Sequence, residues 1–123
     1  MSKRKYIQFL NDIFKSSEKI MFITKNRSFD KFVQDWVVVD ATIRNLEIIG
    51  EAVKHLPVKI KKKYGDIEWK KIAGLRDILI HEYFGINCNI LWDIVKNKVP
   101  ELKKHIKVIL QAENTSLPFP KTL

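Results

Sequence analysis

In the first part of the chain, apolar residues recur every three or four positions: Tyr6, Phe9, Leu10, Ile13, Phe14, Ile20 and Met21, with Ser17 in the one gap. That is the α-helical period, and it predicts an amphipathic helix of about five turns. Thr24 to Arg27 is polar, and Ser28 has the side chain to cap the next helix. Phe29, Phe32, Trp36, Val39, Ile43, Leu46, Gly50 and Val53 then step by alternating threes and fours. Such a seam predicts one long second helix packed lengthwise on another. Val33, Val37, Ile48 and Ile49 lie off the seam and predict a second buried face. Gly50 within the seam marks a close approach, because a helical glycine costs about 1 kcal/mol relative to alanine.

Leu56-Pro57 ends this helix, and Pro57 opens a short one running to Tyr64, with Gly65 as its stop. Asp66 is placed to cap a fourth helix through Trp69, Ile72, Ala73, Leu75, Ile78, Leu79 and Ile80, which Gly85 breaks. Asn87 or Asn89 restarts the chain into a last helix carrying Ile90, Leu91, Ile94, Val95, Leu102, Ile106, Ile109 and Leu110. Pro100 inside that span predicts a kink or a break. The pattern describes an all-α, up-and-down bundle of four substantial helices and one short one. It forms a single domain over residues 1–112, followed by a loosely held tail over 113–123 with two prolines.

Composition narrows this picture. No apolar run approaches the roughly 20 residues that span a bilayer, and Asn11 and Asp12 interrupt any secretory core after the basic N-terminus. The single cysteine, Cys88, excludes an internal disulfide and fits a reducing compartment, so a cytoplasmic protein without membrane association is expected. Lys and Arg number 23 against 14 Asp and Glu, a net charge of +9 that favours polyanionic partners, nucleic acid first. Lys59, Lys61, Lys62 and Lys63 are candidate RNA contacts, or equally a solvated face. Glu47 and Glu51 share a helix face, yet Lys54 and His55 lie within reach of Glu51, which favours ion pairing over metal ligation. His55, His81 and His105 have no metal-ligand spacing, and neither a metal nor another cofactor is called for.

The informative anomaly is a polar intrusion in the most apolar helix. Trp69, Ile72, Arg76, Leu79 and Tyr83 fall along one stripe, so Arg76 stands at a position the pattern reserves for the core. A guanidinium there is paired, or it lines a wet cleft or an interface. Asp77 and His81 are four residues apart, close enough for the carboxylate to orient the imidazole. Arg76 and His81 are five apart, about 140° around an ideal helix. They converge only if the helix ends or loosens near His81, as Gly85 allows, or if a second subunit closes the site. Read without that convergence, the same residues are a helix-end Arg–Asp pair beside a surface histidine.

Arg76-x4-His81-x-Tyr83 resembles the R-x4-H-x-Y motif of the HepT-like toxins in the HEPN superfamily. Its surroundings are similar too. Arg44 to Ala52 (RNLEIIGEA) resembles the family's second-helix block, and Trp69-x2-Ile72-Ala73-Gly74-Leu75-Arg76-Asp77 its entry into the motif. Leu91-Trp92-x-Ile94 and Val99-Pro100-x-Leu102 resemble its last helix, so the likeness runs from about Tyr6 to Leu110.

The resemblance implies a HEPN-like helical fold, a two-fold homodimer and a metal-independent endoribonuclease acting in a shared cleft. Carried over, Arg76 and His81 are the catalytic pair and Asp77 supports His81. RNA is the substrate, and the product is a 2′,3′-cyclic phosphate. The family also implies a partner, an MntA-type nucleotidyltransferase antitoxin of a type VII toxin–antitoxin system, which silences the toxin by adding AMP to the motif tyrosine, here Tyr83. The rival expectation is a HEPN module that binds nucleotide or RNA, or only dimerises, without cutting.

Overall fold

The computed structural model describes residues 1–81 and 87–113, residues 76–81 by their backbone alone. Among these residues all regular structure is helical: α1 (Lys3–Thr24), α2 (Phe29–Gln34), α3 (Trp36–His55), α4 (Val58–Lys63), α5 (Trp69–His81), α6 (Cys88–Asp93), a π-helical turn (Ile94–Lys98) and α7 (Val99–Glu113). None of the helices searched is long and apolar enough to cross a membrane.

The four long helices α1, α3, α5 and α7 alternate in direction. Phe9, early in α1, stacks on His55 at the end of α3, ring centroids 5.2 Å apart. Lys96 near the start of the last segment donates to the Thr24 carbonyl at the end of α1, and Lys103 pairs with Glu18. Around the bundle the order is α5, α3, α1, α7, as expected for up-and-down connections. The core is made by the predicted stripes: Leu10, Ile13 and Ile20 of α1, Leu46, Ile49 and Val53 of α3, and Ile106 and Ile109 of α7 are all essentially buried. Ser17, in the gap of the α1 stripe, is fully buried and donates to the Ile13 carbonyl at 2.8 Å; Thr42 does the same to Val38. Bonding back to the preceding turn lets these hydroxyls enter an apolar core with their donors satisfied.

The expected second helix is two. It breaks at Asp35, whose backbone is extended and whose carboxylate accepts from the Val38 amide at 3.3 Å as the N-cap of α3. The same carboxylate receives the Arg27 guanidinium at 3.1 Å, and Arg27 Nε donates to the Ile23 carbonyl. An aspartate offered a cap and a cation gains more there than inside a helix. Trp36, expected on the buried seam, stands in the first turn after the break and is 72% exposed. Val33 and Val37, expected on a second buried face, are also exposed, whereas Ile49 of that face and Ile43, Leu46 and Val53 of the seam are buried. Ser28 caps α2 as expected, accepting from the Lys31 amide, and Asn87 caps α6.

Two other boundaries move. α5 begins at Trp69 rather than just after Asp66, and Trp69 Nε1 donates to the Tyr64 carbonyl at 3.0 Å. The irregularity expected at Pro100 lies just ahead of it: the helix widens to a π turn, with the Val99 amide bonding the Ile94 carbonyl. Pro100 has no N–H to bond back to Lys96, and its ring crowds that carbonyl, so a wider turn relieves the clash.

Glu113, which the pattern assigns to the tail, is the last residue of α7 and is buried. Lys63 Nζ and Tyr64 Oη donate to its Oε2 at 2.7 and 2.6 Å, and Tyr6 Oη donates to Oε1 at 3.0 Å. A carboxylate at a helix C-terminus faces the negative end of the dipole, and these three donors more than offset that. Chiefly the Lys63 bond, then that of Tyr64, holds the carboxyl down to about 2 against its burial. Because the folded value is depressed, this contribution is complete above the unfolded value near 4.5 and fades as pH falls towards 2. We expect Glu113→Gln to lose about 2 kcal/mol of stability at neutral pH by urea denaturation. The deficit should shrink as pH falls from about 4.5 towards 2, where first the unfolded chain and then the folded parent take up the proton. A variant as stable as the parent at pH 7 would mean that the clasp adds nothing to stability.

Candidate functional site

α5 is the helix that carries the sequence anomaly, and its position is set by its first residue. The Tyr64–Trp69 bond ties its start to the end of the bundle where α3 finishes, so α5 runs antiparallel to α3. Ile72 and Leu75 of α5 face a groove whose floor includes Leu46 and Ile49 of α3 and whose far wall is Val99 and Leu102 of α7. The groove encloses about 250 Å³. Its rim is charged: Glu68 pairs with Lys71 at 2.6 Å, His105 with Glu101 at 3.6 Å, and Lys98 lies alongside. The Lys71 ammonium draws the Glu68 carboxyl below its ordinary value.

Arg76, Asp77 and His81 all lie on the α5 backbone, which remains helical through His81. The described helix is regular up to its last residue, His81. Positions 76 and 81 therefore sit on different faces, separated by about 7.5 Å along the axis and about 140° around it. Tyr83 lies outside the described residues.

The end of α5 that bears these residues lies beside the start of α3, where Trp36 and Val37 are exposed. The ends of α1, α2, α6 and the π turn gather there too. Phe29 and Phe32 of α2 hold the Trp92 ring, at centroid distances of 6.2 and 4.9 Å. The lysine cluster is elsewhere. Lys59, Lys61, Lys62 and Lys63 are on α4, at the opposite end, roughly 20 Å away along the 13-residue α5. Lys63 is held in the Glu113 clasp, while Lys59 and Lys62 are exposed. Within one chain the structure does not bring this cluster together with Arg76 and His81.

The acidic pair on α3 takes the ion-pairing role: Glu51 meets His55 at 3.1 Å, and Glu47 lies 3.7 Å from Arg44. Among the described residues no cluster of His, Cys, Asp and Glu could hold a metal ion. Cys88 is the first residue of α6 and partly buried. What sequence reasoning missed at the α5 end is the set of aromatic rings carrying lysines, Phe22 with Lys25 and Trp92 with Lys96. The spacings Phe22-x2-Lys25 and Trp92-x3-Lys96 were the available signal, since both put ring and ammonium on one helix face.

Comparison with known proteins gives a consistent answer. The family model described as ribonuclease HepT-like matches residues 13–109. The chain is 48% identical over 105 residues to the protein named "Putative RNase TTE0752" of Caldanaerobacter subterraneus, covering 85% of this chain and 94% of that one. It is also 48% identical over 111 residues to "Putative RNase MJ0127" of Methanocaldococcus jannaschii, covering 90% and 92%. Against "Probable ribonuclease HepT" of Thermococcus cleftensis the identity is 42% over 101 residues, covering 82% and 92%. No solved structure matches.

Proposed function

The chain belongs to the ribonuclease HepT-like family, and from that premise we propose that it is an endoribonuclease toxin whose catalytic groups are Arg76 and His81. The observation that carries this reading is the placement of both residues on one continuous helix of a HEPN-type bundle, at an end with exposed apolar surface. Separated by about 140°, Arg76 and His81 of one chain face different ways, and a two-fold partner supplies the missing half of a cleft. Exposed Trp36 and Val37 at the same end give such an assembly apolar surface to cover.

The chemistry needs no metal. A base at His81 takes the proton of a ribose 2′-hydroxyl as its oxygen attacks the adjacent phosphorus. The bond from phosphorus to the 5′-oxygen breaks, a protonated imidazole returns a proton to that oxygen, and a 2′,3′-cyclic phosphate remains. Arg76 meets the negative charge that grows on the phosphorane, and its planar fork suits two phosphoryl oxygens at once. Asp77, one turn before His81, orients the imidazole and keeps it basic near neutrality. DNA, lacking the 2′-hydroxyl, is spared.

Control is exerted as in the family. An MntA-type nucleotidyltransferase would catalyse attack of the Tyr83 phenolic oxygen on the α-phosphorus of ATP, releasing pyrophosphate and a proton and leaving AMP on the tyrosine. Two residues beyond His81, that AMP places a phosphate where substrate phosphate belongs and competes for Arg76.

Arg76→Ala and His81→Ala should each lower cleavage of RNA at least about a hundredfold while the protein stays folded and dimeric by sedimentation. EDTA should leave the parent's rate unchanged. Full activity in either variant, loss of activity on chelation, or full activity in a strictly monomeric protein would overturn the mechanism.

Co-expression with the nucleotidyltransferase should add one or more AMP masses to the peptide containing Tyr83. Tyr83→Phe should remain toxic in its presence. A Tyr83→Phe toxin that cuts RNA and is still silenced would point to steric capping of the cleft instead.

A further inference from the structure

At the α5 end of the bundle two lysines lie over aromatic rings. Lys25 Nζ is 4.9 Å from the centroid of Phe22, and Lys96 Nζ is 4.6 Å from that of Trp92. The pairs are neighbours, because Lys96 Nζ also reaches the carbonyl of Thr24, the residue before Lys25. Phe22 is 68% exposed although it ends a helix whose other large apolar residues turn inward. Trp92 is held from beneath by Phe29 and Phe32, which fixes the orientation of its ring. Asn26, just beyond Lys25, adopts the left-handed conformation (φ 59°) that turns the chain sharply towards α2.

We propose that Phe22, Lys25, Lys96 and Trp92 form a platform for single-stranded RNA, a binding site separate from the cleft that cuts it. The two ingredients of sequence-tolerant single-strand binding are an exposed ring on which a base stacks and cations that track the phosphates. Phe22 supplies the exposed ring and Lys25 and Lys96 the cations, while the partly buried Trp92, backed by Phe29 and Phe32, holds Lys96 in place, all at the end of the bundle that carries positions 76 and 81. An ammonium over a ring polarises it and stands one phosphate's reach from a base stacked on the same ring. At the far end Lys63 Nζ also lies over a ring, that of Tyr64 at 5.6 Å, but both that ammonium and the Tyr64 hydroxyl are bound to Glu113. A strand entering the cleft would thus lie across the ends of α1 and α6 and not along α4. The platform rests on the ribonuclease reading for its ligand, but it concerns binding alone.

The test is a fluorescence-anisotropy titration of the full-length chain with a fluorescein-labelled, 2′-O-methylated single-stranded oligonucleotide, which lacks the attacking hydroxyl. Phe22→Ala should weaken binding about tenfold. Lys25→Gln and Lys96→Gln should each reduce the slope of log K against log salt by about one. Lys107→Gln, which removes the same charge from the outer face of α7, should leave both quantities close to the parent's. Circular dichroism would confirm that the exposed-site variants remain folded. Unchanged affinity in Phe22→Ala, an equal loss in Lys107→Gln, or a parent that binds no oligonucleotide would overturn the platform. Cleavage of unmodified RNA is scored separately. A parent that binds through Phe22 but never cuts removes the ribonuclease reading and leaves the platform. One that cuts while Phe22→Ala binds normally removes the platform and leaves the ribonuclease.

Discussion

A single buried carboxylate organises one end of this bundle. Glu113 closes the last helix and accepts from Lys63, Tyr64 and Tyr6, so α7, the α4–α5 connection and α1 are tied at one point. From Tyr64 the restraint passes by a further hydrogen bond to Trp69, the first residue of α5. A helix is stiff, so fixing where α5 begins and how its first turn is rotated also fixes its far end. The identity of the residue at 113 thus bears on the placement of Arg76 and His81, although it lies a helix length away from them. Such a carboxylate costs desolvation energy, and it is retained because every donor around it is aimed at it.

The two ends of the bundle differ in kind. The clasp end is closed by polar groups that satisfy one another. At the other end more apolar and aromatic surface is exposed in the single chain, at Phe22, Val33, Trp36, Val37 and Ile90, against Val58 at the clasp end. Soluble proteins rarely leave such surface open without a partner for it. Between the ends, the groove keeps α5 apart from α7, so α5 is supported mainly by α3 along one side. Among the described residues α5 is thus packed on one side and faces the groove on the other, an arrangement suited to meet a second chain or a ligand.

Some of this is legible along the sequence, because helical periodicity records which side of each helix is buried. The stripes of α1 and α7 and the capping role of Ser28 can be read from residue type and spacing alone, whereas the choice between Asn87 and Asn89 is made by the structure. The break at Asp35 cannot. The apolar period runs through it unbroken, and only a cation arriving from Arg27, on the preceding connection, makes the cap preferable to a continuous helix. Trp36 is misplaced for the same reason, since it falls in the exposed first turn that the break creates, while Ile43, Leu46 and Val53 further along the seam are buried as their spacing predicts. Glu113 resembles the first residue of a polar tail because its three donors come from positions 6, 63 and 64, and pairing at that separation leaves no local pattern.

The sequence by itself determined the helical class, the direction in which α1 and α7 turn their apolar faces, and the motif of Arg76, His81 and Tyr83 with its family. These depend on residues within a few turns of one another, where spacing and geometry are equivalent. Only the tertiary structure decided that the α4 lysines stand at the opposite end of α5 from positions 76 and 81, and that two lysine-capped rings stand at the same end as those positions. Those facts depend on which ends of separate helices meet. That is set by packing and by long-range polar contacts such as the Glu113 clasp, and neither leaves a period in the chain.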